Sequence, residues 1–282
     1  MQKYISPQRQ KWMPKVAYSA SMGFAAYWAY LYLSQTKHIF SPKCSETGQT
    51  LASTPHPEIT PVRLPVGKGI ELEGWVRLPA GFQGGNQGCA IYFGGRSEDV
   101  RWLISEMDGF GDLPLVFFNY RGYGQSGGRP DEKRLVADAH AIYNWVSNQP
   151  WCKKGQISVI GRSLGTGVAV QLAASQPVHK LVLLTPYDSL VNLAKARVPL
   201  APVSLLLRSQ FKSADKVDQI HSPTFVLLAE QDEVVPHDST ARLLANFVVK
   251  PLVATVKGSN HVSLPHHRSA QALIEHFLSD AP

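Results

Sequence analysis

Three residues far apart in the chain have the types and settings that serine-based hydrolysis requires. Ser163 stands in Gly161-Arg162-Ser163-Leu164-Gly165, between the apolar, β-branched run Ile157–Ile160 and an Ala/Val-rich stretch that begins at Leu164. A G-x-S-x-G pentapeptide between a strand and a helix is a nucleophile elbow. Its flanking positions have room for almost no side chain, which glycine satisfies. The helix N-terminus below the serine favours developing negative charge. A second match, Gly124-Gln125-Ser126-Gly127-Gly128, lies in a glycine-rich loop and is followed by Arg129-Pro130 instead of a helix. Ser126 is therefore read as a loop serine and Ser163 as the nucleophile.

A serine hydroxyl needs a base to take its proton, and the base needs a third group to orient it. Downstream of Ser163, the run Pro223–Ala229 reads as a buried strand and is followed by Glu230-Gln231-Asp232-Glu233. The run Leu252–Val256 reads as another strand and leads into Lys257-Gly258-Ser259-Asn260-His261. Asp232 is assigned as the orienting acid and His261 as the general base. Glu230, Glu233, Asp238 and Asp188 compete with Asp232, and His266 and His267 compete with His261. No carboxylate or cysteine stands at ligand spacing beside the histidine pair, so no metal is expected, and hydrolysis by a serine, a base and an acid requires no organic cofactor. The oxyanion of an acyl-transfer intermediate needs two backbone N–H donors. Leu164, after the nucleophile, supplies one, and Arg96, in the Gly94-Gly95-Arg96 loop after the strand Ala90–Phe93, supplies the other.

The segments Tyr92–Asp99, Asn119–Gly128, Gly161–Gly165, Thr185–Ser189 and Gln231–Pro236 together resemble the α/β-hydrolase superfamily. The likeness is greatest to its membrane-anchored alpha/beta-hydrolase-domain branch, which includes lysophospholipases, acylglycerol lipases and protein depalmitoylases. It covers roughly residues 60–280. The resemblance implies a Ser163/Asp232/His261 triad with an oxyanion hole at Arg96 and Leu164. It also implies an α/β fold with a mostly parallel central sheet, helices on both faces and a minimal cap. One departure is Gly94-Gly95-Arg96, where that family usually carries His-Gly and a small or amide residue. The N–H donors survive the change. In that superfamily the strands entered after Cys89 and Cys152 are parallel neighbours, which allows a Cys89–Cys152 disulfide in an oxidising compartment.

The 282 residues carry 28 Lys/Arg against 21 Asp/Glu, a net charge of +7. Six of those bases and no acid lie in residues 1–43, so the remainder is nearly neutral and nucleic-acid binding is not expected. Between Lys15 and Lys37 runs an uncharged stretch, Val16 to Thr36, which as a helix would span about 31 Å. Residues 1–36 are read as a basic flank and transmembrane anchor, although Ser19, Ser21 and Gly23 dilute its apolar character. Four bases precede it and two follow closely, which places the N-terminus in the cytoplasm and the enzyme on the extracytoplasmic side. A signal peptide, a helix lying in the interface and an ordinary soluble helix are the competing readings.

Residues 37–58, with Pro42, Pro55 and Pro57, read as a linker, and 59–282 as the catalytic domain. Two strands joined at Gly67-Lys68-Gly69 open the sheet, and the second is expected to keep Glu71 and Glu73 on a wet face. A helix is expected near Ser97–Met107. Strands and helices then alternate as parallel units do. Pro186–Ser222 is the one candidate cap. Its leucines either wall an acyl pocket or simply pack on the core. The expected activity is hydrolysis of carboxylic esters or thioesters with an apolar acyl part, on a lipid or other small-molecule substrate. Alternatives are an amidase or peptidase on the same triad, and a non-catalytic membrane-anchored binding protein.

Overall fold

The computed structural model describes residues 7–42, 58–84, 87–106 and 110–279. The extreme N-terminus, Cys44, Met107 and most of the expected linker lie outside these. Eight strands form one sheet: β1 (Ile59–Pro65), β2 (Glu71–Arg77), β3 (Cys89–Phe93), β4 (Leu115–Phe118), β5 (Ile157–Arg162), β6 (Leu181–Leu184), β7 (Thr224–Gln231) and β8 (Leu252–Asn260). Their spatial order is β1-β2-β4-β3-β5-β6-β7-β8. β2 pairs antiparallel with both β1 and β4, and every other pairing is parallel. Parallel strands need long crossovers, which the helices supply, so both faces of the sheet are covered.

Alternation along each strand divides the core in two. Cys89, Ile91 and Phe93 of β3 point to the face covered by α3 (Glu132–Ser147) and α4 (Leu164–Ala173). Ala90 and Tyr92 point to the other, covered by α2 (Leu103–Glu106) and α8 (Arg268–Ser279). The helix expected over Ser97–Met107 is shorter: a 3₁₀ turn at Val100–Trp102 leads into the single turn of α2. Asp99 caps that turn by accepting from the Arg101 N–H. The hairpin at Gly67-Lys68-Gly69 is present, with all three residues at positive φ. Glu73, however, is buried, because Asn119 Nδ2 and the Gln125 N–H donate to its carboxylate at 3.0 and 2.8 Å.

At the amino ends of the parallel strands a disulfide joins Cys89 to Cys152, with Cα atoms 5.4 Å apart. At the carboxyl-end side, 186–222 forms α5 (Leu190–Arg197), α6 (Val203–Leu206) and two 3₁₀ turns. The N-terminal segment forms one long helix, α1 (Pro7–Ile39). Among the described residues no helix is long and apolar enough to cross a membrane, so the expected transmembrane anchor is not supported. Serines, glycine, glutamine and the tyrosine hydroxyls of α1 lower its apolar content below that of a bilayer span. Its C-terminal end instead docks on the domain. Gln35 is buried, donating to the Leu206 carbonyl at 3.1 Å and accepting from the Arg208 N–H at 2.7 Å, while Phe40 joins the core.

Candidate active site

The elbow forms where β5 ends and α4 begins. Ser163 holds φ 50° and ψ −116°, a conformation that L-residues rarely adopt, as the N-cap of α4. Two contacts fix this turn: the Ser163 N–H donates to the Leu184 carbonyl at 2.9 Å, and its own carbonyl accepts from the Thr166 N–H at 2.9 Å. The glycines are sterically required. A Cβ at Gly165 would stand 2.1 Å from the Phe93 carbonyl oxygen, and one at Gly161 would stand 2.6 Å from that of Gly165.

Asp232 follows β7 directly, and His261 follows β8. The His261 ring joins the other two residues, with Nε2 2.8 Å from Ser163 Oγ and Nδ1 2.9 Å from Asp232 Oδ1. Asp232 also accepts from the N–H groups of Val234 and Val235 at 2.9 and 2.8 Å. Burial would raise its carboxyl, but His261 and those two amides outweigh burial and hold it below the usual carboxylate range. With Asp232 ionised, the ring proton belongs on Nδ1, which leaves the Nε2 lone pair facing the serine hydroxyl.

The competing residues go elsewhere. Asp188 is buried and takes hydrogen bonds from Ser239, Asn192 and Arg242. Glu230 accepts from the Gly258 N–H, and Asp238 lies exposed in the first turn of α7 (His237–Ala245). His266 pairs with Glu106 at 2.7 Å, and His267 accepts from the Ser269 N–H at 3.3 Å. Ser126 is buried; its hydroxyl accepts from the Glu73 N–H at 2.9 Å and donates to the Asn119 carbonyl at 2.8 Å.

Ser163, Leu164 and Arg96 line one cavity of about 360 Å³. Within the Gly94-Gly95-Arg96 loop, the Gly95 N–H is taken by Glu98 at 2.6 Å. That of Arg96 is the next donor along the loop. The Arg96 carbonyl is fixed from behind by the Ser41 N–H at 3.0 Å and the Tyr123 hydroxyl at 2.6 Å. Beyond the serine the cavity is largely apolar, with Gln35, His38, Arg96 and Arg197 among its lining. Leu190 and Leu193 of α5 and Val203 and Leu206 of α6 form one wall, and Leu31 and Ile39 of α1 form another. The cap leucines thus wall the pocket. The part played by α1 had no signal in sequence spacing, because α1 is more than 120 residues from the elbow.

Comparison with known proteins bears on this site. Residues 114–199, which contain the elbow, match the X-Pro dipeptidyl-peptidase (S15 family) model. The chain is 30% identical to the uncharacterized protein MT2364 of Mycobacterium tuberculosis over 98% of both chains. It is 31% identical to the lysophosphatidylserine lipase ABHD12 of Danio rerio over 43% of this chain and 36% of that protein. Among solved structures, esterase Pf2001 of Pyrococcus furiosus superposes with a TM-score of 0.65 at 18% identity, covering 84% of this chain and 98% of that one. The elbow, the sheet order and these relatives agree: the chain belongs to the α/β-hydrolase superfamily, and it is a hydrolase resembling the alpha/beta-hydrolase-domain proteins.

Proposed function

We propose that the protein is a serine hydrolase cleaving carboxylic esters or thioesters that carry an apolar acyl chain. The observation that carries this reading is one imidazole, that of His261, within hydrogen-bond distance of both Asp232 and Ser163 Oγ, with Ser163 lining a largely apolar cavity. Ser163 Oγ attacks the carbonyl carbon while His261 Nε2 takes its proton. Asp232 fixes the ring tautomer and stabilises the imidazolium. The N–H groups of Arg96 and Leu164 hold the tetrahedral oxyanion, with the start of α4 adding its dipole. The leaving alcohol or thiol takes the proton from His261. Water activated by the same ring then releases the acid. The acyl chain lies between α5, α6 and the end of α1.

The test is fluorophosphonate labelling alongside turnover of acyl esters of graded chain length. Wild type labels at Ser163 and prefers acyl chains long enough to fill the cavity; equal labelling and turnover by Ser163→Ala would falsify this mechanism. The S15 match favours a second reading, amide hydrolysis on the same three residues. Matched ester and amide substrates separate the two, since an amide leaving group needs stronger protonation.

Membrane contact is proposed through α1 lying in the lipid interface instead of spanning it. Met22, Phe24, Tyr27, Tyr30 and Leu33 of α1 are exposed, as are Leu200 and Leu205 of the cap against which α1 packs. The six bases and no acids of residues 1–43 suit an anionic surface. A disulfide at the amino-end side of β3 and β5 supports the extracytoplasmic side, where such bonds persist. Flotation with anionic vesicles tests the contact. Full-length protein that stays with the soluble fraction at low salt, or that resists extraction by alkaline carbonate as an integral protein does, overturns the interfacial placement.

A further inference from the structure

Behind the serine lies a buried ion pair that nothing in the reaction itself calls for. Glu98 follows the oxyanion loop, and its side chain is 4% exposed; Arg162 precedes the nucleophile, and its side chain is 12% exposed. Burying two charges is costly unless every partner is supplied. Glu98 has four donors. Oε2 accepts from the Gly95 N–H at 2.6 Å and Arg162 Nη1 at 2.8 Å, while Oε1 accepts from the Tyr92 hydroxyl at 2.8 Å and Trp102 Nε1 at 2.7 Å. The second guanidinium nitrogen, Arg162 Nη2, reaches the carbonyls of His261 and Val262 at 3.4 and 3.3 Å. A Cβ on Gly95 would stand 3.1 Å from the Glu98 carboxylate and 3.8 Å from the Ser163 Cβ, so the loop rests directly on the pair.

We propose that Glu98 and Arg162 are positioning residues that set the oxyanion loop, the nucleophile elbow and the histidine loop against one another. This rests on the serine-hydrolase reading above. The carboxylate turns the Gly94–Gly95 peptide away from the substrate, which aims the next peptide, carrying the Arg96 N–H, into the cavity. The guanidinium leaves the strand just before Ser163 and holds the backbone of the residue whose ring must reach the serine. Three segments separated by 64 and 99 residues therefore share one reference point. Neither residue touches the reacting atoms. Their contribution is to the geometry of the transition state, where small displacements of a donor or a base are costly.

The experiment measures kcat and KM on a soluble acyl ester, together with active-site titration by fluorophosphonate and thermal unfolding, on three variants. Glu98→Gln keeps the shape but replaces one acceptor with an amide donor facing Gly95 or Arg162. Its kcat per titrated site falls about a hundredfold, the size of losing one oxyanion donor, while KM stays within about threefold. Arg162→Lys keeps a charge for Glu98 but loses the planar fork that also reaches the histidine loop. It is expected to lose about tenfold in kcat with the titrated fraction unchanged. Ser163→Ala serves as the reference.

A merely structural pair would lower the fraction of titratable sites or the unfolding temperature and leave kcat per site at the wild-type value. That outcome overturns the proposal. If Glu98→Gln does not fold, Arg162→Lys decides alone, because its replacement retains the ion pair. If Ser163→Ala turns over like wild type, the serine-hydrolase reading fails. If Ser163→Ala is inactive and both other variants keep wild-type kcat, only the positioning role fails.

Discussion

The chain carries two G-x-S-x-G pentapeptides, and they come to opposite uses. Ser163 is held at φ 50° with its hydroxyl facing a cavity and an imidazole. Ser126 sits inside the loop after β4, with both capacities of its hydroxyl spent on the backbone of Glu73 and Asn119. The glycines differ in the same way. Gly161 and Gly165 let a helix begin against the neighbouring strand, whereas Gly122, Gly124 and Gly128 let a loop fold back on itself at positive φ. A serine between glycines is therefore not a chemical statement. The strand before it and the helix after it are what turn a hydroxyl outward under strain.

Substitution at the two serines gives the widest separation. Ser163→Ala should lose on the order of a millionfold in kcat while unfolding like wild type. Ser126→Ala should keep kcat/KM within about threefold yet lose roughly 1–3 kcal/mol of stability, because the Glu73 N–H is left buried without its acceptor. Steady-state kinetics and chemical denaturation on both proteins check this. Similar kinetic losses at the two positions would dissolve the contrast.

The same division applies to two acids at strand tips. Asp232→Asn should cost about 10⁴ in kcat, since an amide favours the wrong imidazole tautomer. Asp188→Asn should leave kcat near wild type and act on stability instead. The Asp188 carboxyl, which burial would raise, is held below the usual range by Arg242, Ser239, Asn192 and the Ser189 N–H. A depressed carboxyl contributes stability above its unfolded pKa and loses it as pH falls through the lower folded value. Asp188→Asn should therefore flatten the acid side of the stability profile, measured by denaturation across that range.

At the opposite end of the sheet, the Cys89–Cys152 bond closes a loop with a sequence separation of 63. Its reduction should lower stability by about 4 kcal/mol while kcat at low temperature is unchanged, because the site lies at the carboxyl ends of the strands. The smallest effect concerns Leu205→Ser on the exposed cap surface. Turnover of a soluble ester should remain within about twofold, and vesicle binding should weaken several-fold by loss of one exposed apolar side chain.

Much of the fold was legible because it depends on local pattern. Runs of β-branched residues separated by amphipathic stretches give the parallel strands, and the elbow carries its own steric signature. Asp232 and His261 are legible as candidates because each directly follows a strand, and the structure brings both side chains into one hydrogen-bonded chain with Ser163. Glu73 departs from the alternation, which makes a charge look wet unless its partners are known, and Asn119 is 46 residues away. Glu98 and Arg162 gave no signal for the same reason. Charge-free length makes the N-terminal helix resemble a membrane span, whereas the buried Gln35 within it and Phe40 just past its end show where it settles.

The Arg96 carbonyl meets both the Tyr123 hydroxyl and the Ser41 N–H, the latter just past the end of α1. The end of the N-terminal helix is thereby tied by one main-chain hydrogen bond to the loop that lines the cavity beside Ser163. On the proposed function, a surface that moves that helix also moves this loop, so turnover of a soluble ester should change when anionic vesicles are added.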